Sequence, residues 1–128
     1  MPLFPVNLAA IRTACATRLP KVYEPLTLTF YGLGARQKGD FITFANDTYI
    51  DLCVSVKDGR VYGIDPSGRL AAKFVNSGFE QFISFFNKYV ELSEEAMKLR
   101  PALEAIDKDA LGDVNKYWEP AVEQIEDL

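Results

Sequence analysis

The feature that most constrains the fold is an abrupt change of period within residues 60–90. Arg60-Val61-Tyr62-Gly63-Ile64-Asp65 is short, β-branched and aromatic, and it follows Lys57-Asp58-Gly59, a strong hairpin signal. Pro66-Ser67-Gly68 turns the chain, and residues 70–75 read as a second strand. From Ser77 the period becomes helical. Ser77-Gly78-Phe79-Glu80 matches a capping box, in which the Ser77 hydroxyl accepts from the Glu80 amide and the Glu80 carboxylate accepts from the Ser77 amide. Phe79, Phe82, Ile83, Phe86 and Val90 then recur on one face. So many aromatic rings between Phe79 and Tyr89 cannot stay in water, so this helix is expected to lie on the sheet as the centre of the core.

Upstream, Asn7 can cap a short helix through Leu8, Ile11, Ala14 and Cys15, stopped by Pro20. Leu26-Thr27-Leu28-Thr29-Phe30-Tyr31 and Phe41-Ile42-Thr43-Phe44 read as strands, separated by a polar loop that exposes Arg36 and Lys38. Gly32-Leu33-Gly34 completes no phosphate-binding pattern and reads as a turn or bulge. Residues 49–56 alternate cleanly, with Ile50, Leu52, Val54 and Val56 on one face. A two-residue Asp58-Gly59 turn would set Val56 opposite Val61 and Val54 opposite Gly63, whose missing side chain suggests another backbone crossing closely. Cys53, Tyr62 and Ile64 give the reverse face apolar groups, so a helix or a partner is expected to cover part of it.

After these strands only helix follows. One helix starts at Ser93-Glu94-Glu95, is kinked or restarted at Pro101, and carries Leu103 and Ile106 inward up to Asp107. A last helix, capped by Asp113 or Asn115, turns Trp118, Ala121, Val122 and Ile125 inward and Glu119, Glu123, Glu126 and Asp127 outward. The expectation is a single α+β domain: about five strands in a mainly antiparallel sheet, packed by C-terminal helices.

The 128 residues lack histidine altogether, which removes Ser-His-Asp and Cys-His triads and the usual zinc sites. Cys15 and Cys53 fit no metal or redox spacing and read as buried thiols in a reducing compartment. No apolar run approaches the ~20 residues that span a bilayer, and Met-Pro-Leu-Phe-Pro lacks the basic and apolar regions of a leader. A cytoplasmic protein without membrane contact is expected. The net charge of −4 conceals a division: residues 1–90 sum to +3 and residues 91–128 to −7. The acidic end argues against nucleic acid and suits a basic partner, or else simply a solvated face.

Gly-Arg-Val-Tyr-Gly-Ile-Asp-Pro at residues 59–66, then Phe74-Val75-Asn76-Ser77 running into Phe79-Glu80-Gln81-Phe82, resembles the SUKH superfamily of bacterial immunity proteins and yeast cell-wall-assembly regulators. Ala105-Ile106-Asp107-Lys108-Asp109-Ala110, Tyr117-Trp118 and Val122-Glu123-Gln124-Ile125-Glu126 are similar to the end of that family's fourth subgroup. The resemblance runs from about Leu26 onward and implies an α+β fold that binds rather than catalyses, with no cofactor and no metal. Its expected partner is a cognate protein toxin, a nuclease or deaminase; the alternative is a regulatory or scaffolding module with a housekeeping partner. Within this family the matching Asn76, Ser77, Phe82 and Phe86 read as helix start and core, and Trp118 as core.

A nuclease site is cationic because it holds phosphates, so an acidic surface suits its blockade. Glu119 and Glu123 are the first candidates for partner contact, and Asp47, Tyr49 and Asp51 form a second patch. A carboxylate-pair enzyme using Asp47 with Asp51, or Asp65 with a neighbour, is the third reading. It requires a cleft that the sequence does not indicate.

Overall fold

The computed structural model describes residues 5–128, so the leader reading of the opening residues lies mostly outside the described residues. Helix α1 (Leu8–Arg18) begins where the Asn7 side chain accepts a hydrogen bond from the Ala10 amide, and it buries Ile11, Ala14 and Cys15. Strands follow: β1 (Val22–Tyr23), β2 (Leu28–Phe30), β3 (Arg36–Lys38), β4 (Phe41–Asn46), β5 (Asp51–Ser55), β6 (Val61–Ile64) and β7 (Lys73–Asn76). Three helices complete the chain: α2 (Phe79–Glu91), α3 (Ala96–Asp107) and α4 (Trp118–Glu126). The sheet is antiparallel throughout, in the order β1-β2-β4-β5-β6-β7, with β3 paired to the start of β4. The fold is α+β, with seven strands where about five were expected.

Local chemistry explains the differences. The strand expected at residues 26–31 shrinks because Pro25 starts a 3₁₀ turn at 24–26 that ends on Thr27 at φ +52°. The expected polar loop at residues 35–39 instead pairs as β3, with Arg36 and Lys38 exposed as foreseen. Strand β5 starts late because the Asp47 carboxylate accepts from the amides of Tyr49 and Ile50, bending that segment into a turn. Asp65 does the same for the next connection, accepting from the amides of Ser67 and Leu70, so β7 starts at Lys73.

The β5–β6 register sets Val54 opposite Val61 and Leu52 opposite Gly63, two residues away from the pairing expected of a two-residue turn. The turn is longer because the Gly59 amide donates to Ser55 and the Ser55 amide to Arg60. An even slip leaves every side chain on its expected face. A Cβ at Gly63 would lie 2.8 Å from Ile50 Cγ2, so a side chain, not a crossing backbone, fills the space.

A bulge in β4 between Thr43 and Ala45 lets two consecutive residues, Phe44 and Ala45, both bury completely. Phe44 stands edge-on to Phe79 and Phe82 at 4.9 and 5.0 Å between ring centroids, while Phe30 does the same to Phe82 and Phe86. From the other side, Trp118 meets Phe82, Phe85 and Tyr89. Helix α2 is therefore held between the sheet and α4, and Phe85 and Tyr89 are buried where the expected stripe had Val90, which is exposed. Edge-to-face rings of this kind add ~0.5–1.5 kcal/mol per pair beyond their buried area.

The reverse face of the sheet carries the row Arg36, Thr43, Cys53, Tyr62, Phe74 across paired strands. Phe41 and Phe74 flank Tyr62 edge-on, each at 6.4 Å, and Cys53 is buried beside Thr43. Aromatic neighbours within the sheet thus cover part of this face, where Tyr62 and Phe74 remain half-buried. Both thiols are free and buried, as expected. Among the described residues no helix is long and apolar enough to cross a membrane.

Candidate functional site

The residues that carry the family resemblance meet in one buried polar knot. Asp107, only 7% exposed at the end of α3, accepts hydrogen bonds from Asn76 Nδ2 (3.0 Å), the Ser77 amide (2.7 Å) and the Ser77 hydroxyl (2.8 Å). Asn76 Oδ1 in turn accepts from the Trp118 indole N–H at 2.9 Å. The expected capping box is not formed. Gly78 is the N-cap of α2, the Ser77 hydroxyl donates to Asp107, and Glu80 makes a two-pronged pair with Arg18 of α1. A carboxylate thirty residues downstream outcompetes a local cap because it reaches both the amide and the hydroxyl of Ser77. Sequence reasoning missed Asp107. Its signal was a lone acid continuing the helical spacing of Leu99 and Leu103, both fully buried.

The first of the two candidate acids on α4 is turned inward. Glu119 is 7% exposed and accepts from both terminal guanidinium nitrogens of Arg100 at 2.8 Å, while its Oε1 also accepts from the Gly112 amide. Those donors hold its carboxyl at about 2, with the Arg100 hydrogen bonds as the largest cause. Arg100 also reaches Glu126 at 2.9 Å, so the expected outward row of acids on α4 is broken twice. Pro101 does not interrupt α3, which carries Arg100 to this position. Nor does Asp113 or Asn115 cap α4: Asp113 accepts from the Asn115 amide, and the helix begins after Tyr117.

Glu123, one turn further on, remains at the surface. Its carboxyl is pushed up by the hydrogen bond and negative charge shared with Glu119. It lines a broad open depression of about 620 Å³ with Val114, Pro120, Gln124, Asp127 and Leu128. Val114 and Leu128 are 65% and 97% exposed, so apolar groups stand in the open with two acids and no base among the lining residues. Of the eleven acids in residues 91–128, Asp107 and Glu119 are buried, Glu126 is held by Arg100, and Glu91 and Glu95 pair with Lys88 and Lys98. The free acidic surface is therefore narrower than composition suggests, and Glu123 and the C-cap Asp127 are its members at α4.

The second patch is a single turn. Asp47 accepts from the Tyr49 and Ile50 amides, Asp51 accepts from Asn46 Nδ2 at 2.9 Å, and Tyr49 projects 80% exposed between them. Tyr117, directly before α4, has its hydroxyl pushed up by burial and by the negative charge of Asp47. Asp47 thus lies near Tyr117 at the start of α4. Asp47 and Asp51 both serve the turn, and among the described residues no three acids, cysteines or histidines are grouped to hold a metal ion.

Helix α4 and the residues at its two ends thus form a surface on which exposed Val114 and Leu128 stand beside Glu123 and Asp127. No family model matches the sequence, and no curated protein or solved structure matches it either.

Proposed function

We propose that this chain is a member of the SUKH superfamily that neutralises a cognate protein toxin in the cytoplasm, by binding and without catalysis. The observation that carries the reading is the α4 face, where Glu123 and Asp127 surround the exposed Val114 and Leu128. Apolar groups supply contact area, and the acids complement a cationic, phosphate-holding site such as that of a nuclease. Helix α4 is anchored from beneath by Trp118 and Glu119, which holds Glu123 in place between the exposed Val114 before the helix and Leu128 after it. In this reading Glu123 meets the partner, whereas the buried Glu119 supports the helix that carries it. Tyr49 is the exposed member of the second patch, and it lies in reach of a large partner.

Co-expression with the toxin encoded beside the gene tests the proposal. Growth should be rescued and a stable complex isolated, and a central charge reversal, Glu123→Lys with Asp127→Lys, should weaken binding by ~2 kcal/mol or more. Failure of rescue together with failure of the unaltered protein to form a complex refutes it. A complex indifferent to the reversal moves the contact off α4.

A further inference from the structure

A second apolar surface lies between the end of α1 and the β1–β2 edge of the sheet. A groove of about 560 Å³ there is lined by Leu19, Lys21, Val22, Phe30, Tyr31 and Leu33, among others. Val22, Tyr31 and Leu33 are 53%, 40% and 68% exposed, so several of the large apolar side chains left in water converge on this one hollow. Lys21 is its only charged lining residue. Arg36 adds a second positive charge at the border, lining the adjoining hollow with Tyr31 and Gly34, which line both. Neither Lys21 nor Arg36 is engaged in an ion pair within 4.0 Å among the described residues.

The α4 face has the opposite character: Val114, Pro120 and Leu128 flanked by Glu123 and Asp127. No residue lines both surfaces. We propose that the groove at α1 receives the α4 face of a second copy of this chain. Leu33, Val22 and Tyr31 then cover Val114 and Leu128, removing apolar surface from water on both sides. Lys21 and Arg36 lie toward Glu123 and Asp127, which orients the encounter. In this arrangement each copy offers its groove to one neighbour and its α4 face to another, a head-to-tail contact that continues past two copies. Both faces are small, which places the association among weak contacts.

Sedimentation equilibrium of the purified chain, with no toxin present, tests this independently of the neutralisation proposal. The average mass should rise beyond that of a dimer as protein concentration is raised, and should fall back on raising salt from ~0.05 to ~0.5 M. Leu33→Asp removes the groove and Val114→Asp removes the face; both positions are exposed, so the core is untouched. Each variant alone should remain monomeric. Mixed, they should form a one-to-one pair and nothing larger, because each retains the surface that the other has lost. A wild-type chain that stays monomeric, or that stops at a dimer, overturns the proposal. So does a mixture of the two variants that stays monomeric, or a variant that assembles alone as wild type does.

Discussion

Replacing Asp107 by alanine is the sharpest test of the buried knot. The carboxylate satisfies three donors: the Ser77 amide, the Ser77 hydroxyl and Asn76 Nδ2. The hydroxyl can rotate to another acceptor. The amide is fixed by the strand-to-helix junction, and Asn76 is held by the Trp118 indole, so both are left without a partner inside the protein. Each orphaned buried donor costs ~1–3 kcal/mol, and removal of a buried charge returns part of that. The expected loss is ~3 kcal/mol, a large share of the ~5–15 kcal/mol that holds a domain together. Urea unfolding followed by the fluorescence of Trp118, the only tryptophan, reads both stability and the environment of the indole. Asp107→Asn keeps an acceptor for the amide and should cost ~1–2 kcal/mol, the difference between a charged and a neutral hydrogen bond. Glu80→Ala, which breaks an exposed pair with Arg18, should cost under ~1 kcal/mol. A variant lacking Asp107 that unfolds within ~1 kcal/mol of wild type, or a larger loss from Glu80, refutes this reasoning and restores the local cap.

Further outcomes follow from the same geometry. The Glu119 carboxyl is depressed to about 2 in the folded chain, so its contribution is complete above the ordinary carboxyl range near 4.5 and disappears as pH falls through about 2. Urea midpoints of Glu119→Gln between pH 7 and pH 2.5 should therefore fall less steeply than those of wild type, and equal slopes would discount the Arg100 pair. Gly63→Ala should destabilise by ~1–3 kcal/mol through collision with Ile50, and Ile50→Ala in the same chain should recover most of that loss. Simple additivity of the two in a double-mutant cycle would show that they do not touch. Burial raises the thiols of both Cys15 and Cys53, so a thiol reagent at neutral pH should label neither without denaturant. Fast labelling of either would contradict the packing around it.

Sequence periodicity revealed what depends on near neighbours. The strand alternation around Leu52 and Val54, the helical spacing of Phe79, Phe82, Ile83 and Phe86, and the Asn7 cap are all local matters, and each element is present, though β5 is trimmed to Asp51–Ser55. Strand ends were harder to see because carboxylates at Asp47 and Asp65 seize nearby amides, and such competition leaves no periodic trace. The largest departures involve pairs distant in sequence. Ser77 with Asp107, Asn76 with Trp118, and Arg100 with Glu119 become neighbours only after the helices stack, so Glu119 looked like a solvent-facing acid of an amphipathic helix. Glu123, with no such distant partner, stayed legible as surface.

Trp118 and Glu119 are adjacent yet tethered to different parts of the chain, one to the β7–α2 junction and the other to α3 and the Gly112 loop. A nine-residue helix would fray if left to itself. Gripped at its first two positions, α4 can neither slide along its axis nor roll about it. Whatever docks on its outer side meets a stiff template, so little ordering entropy is lost on contact and recognition depends on matching a fixed outline.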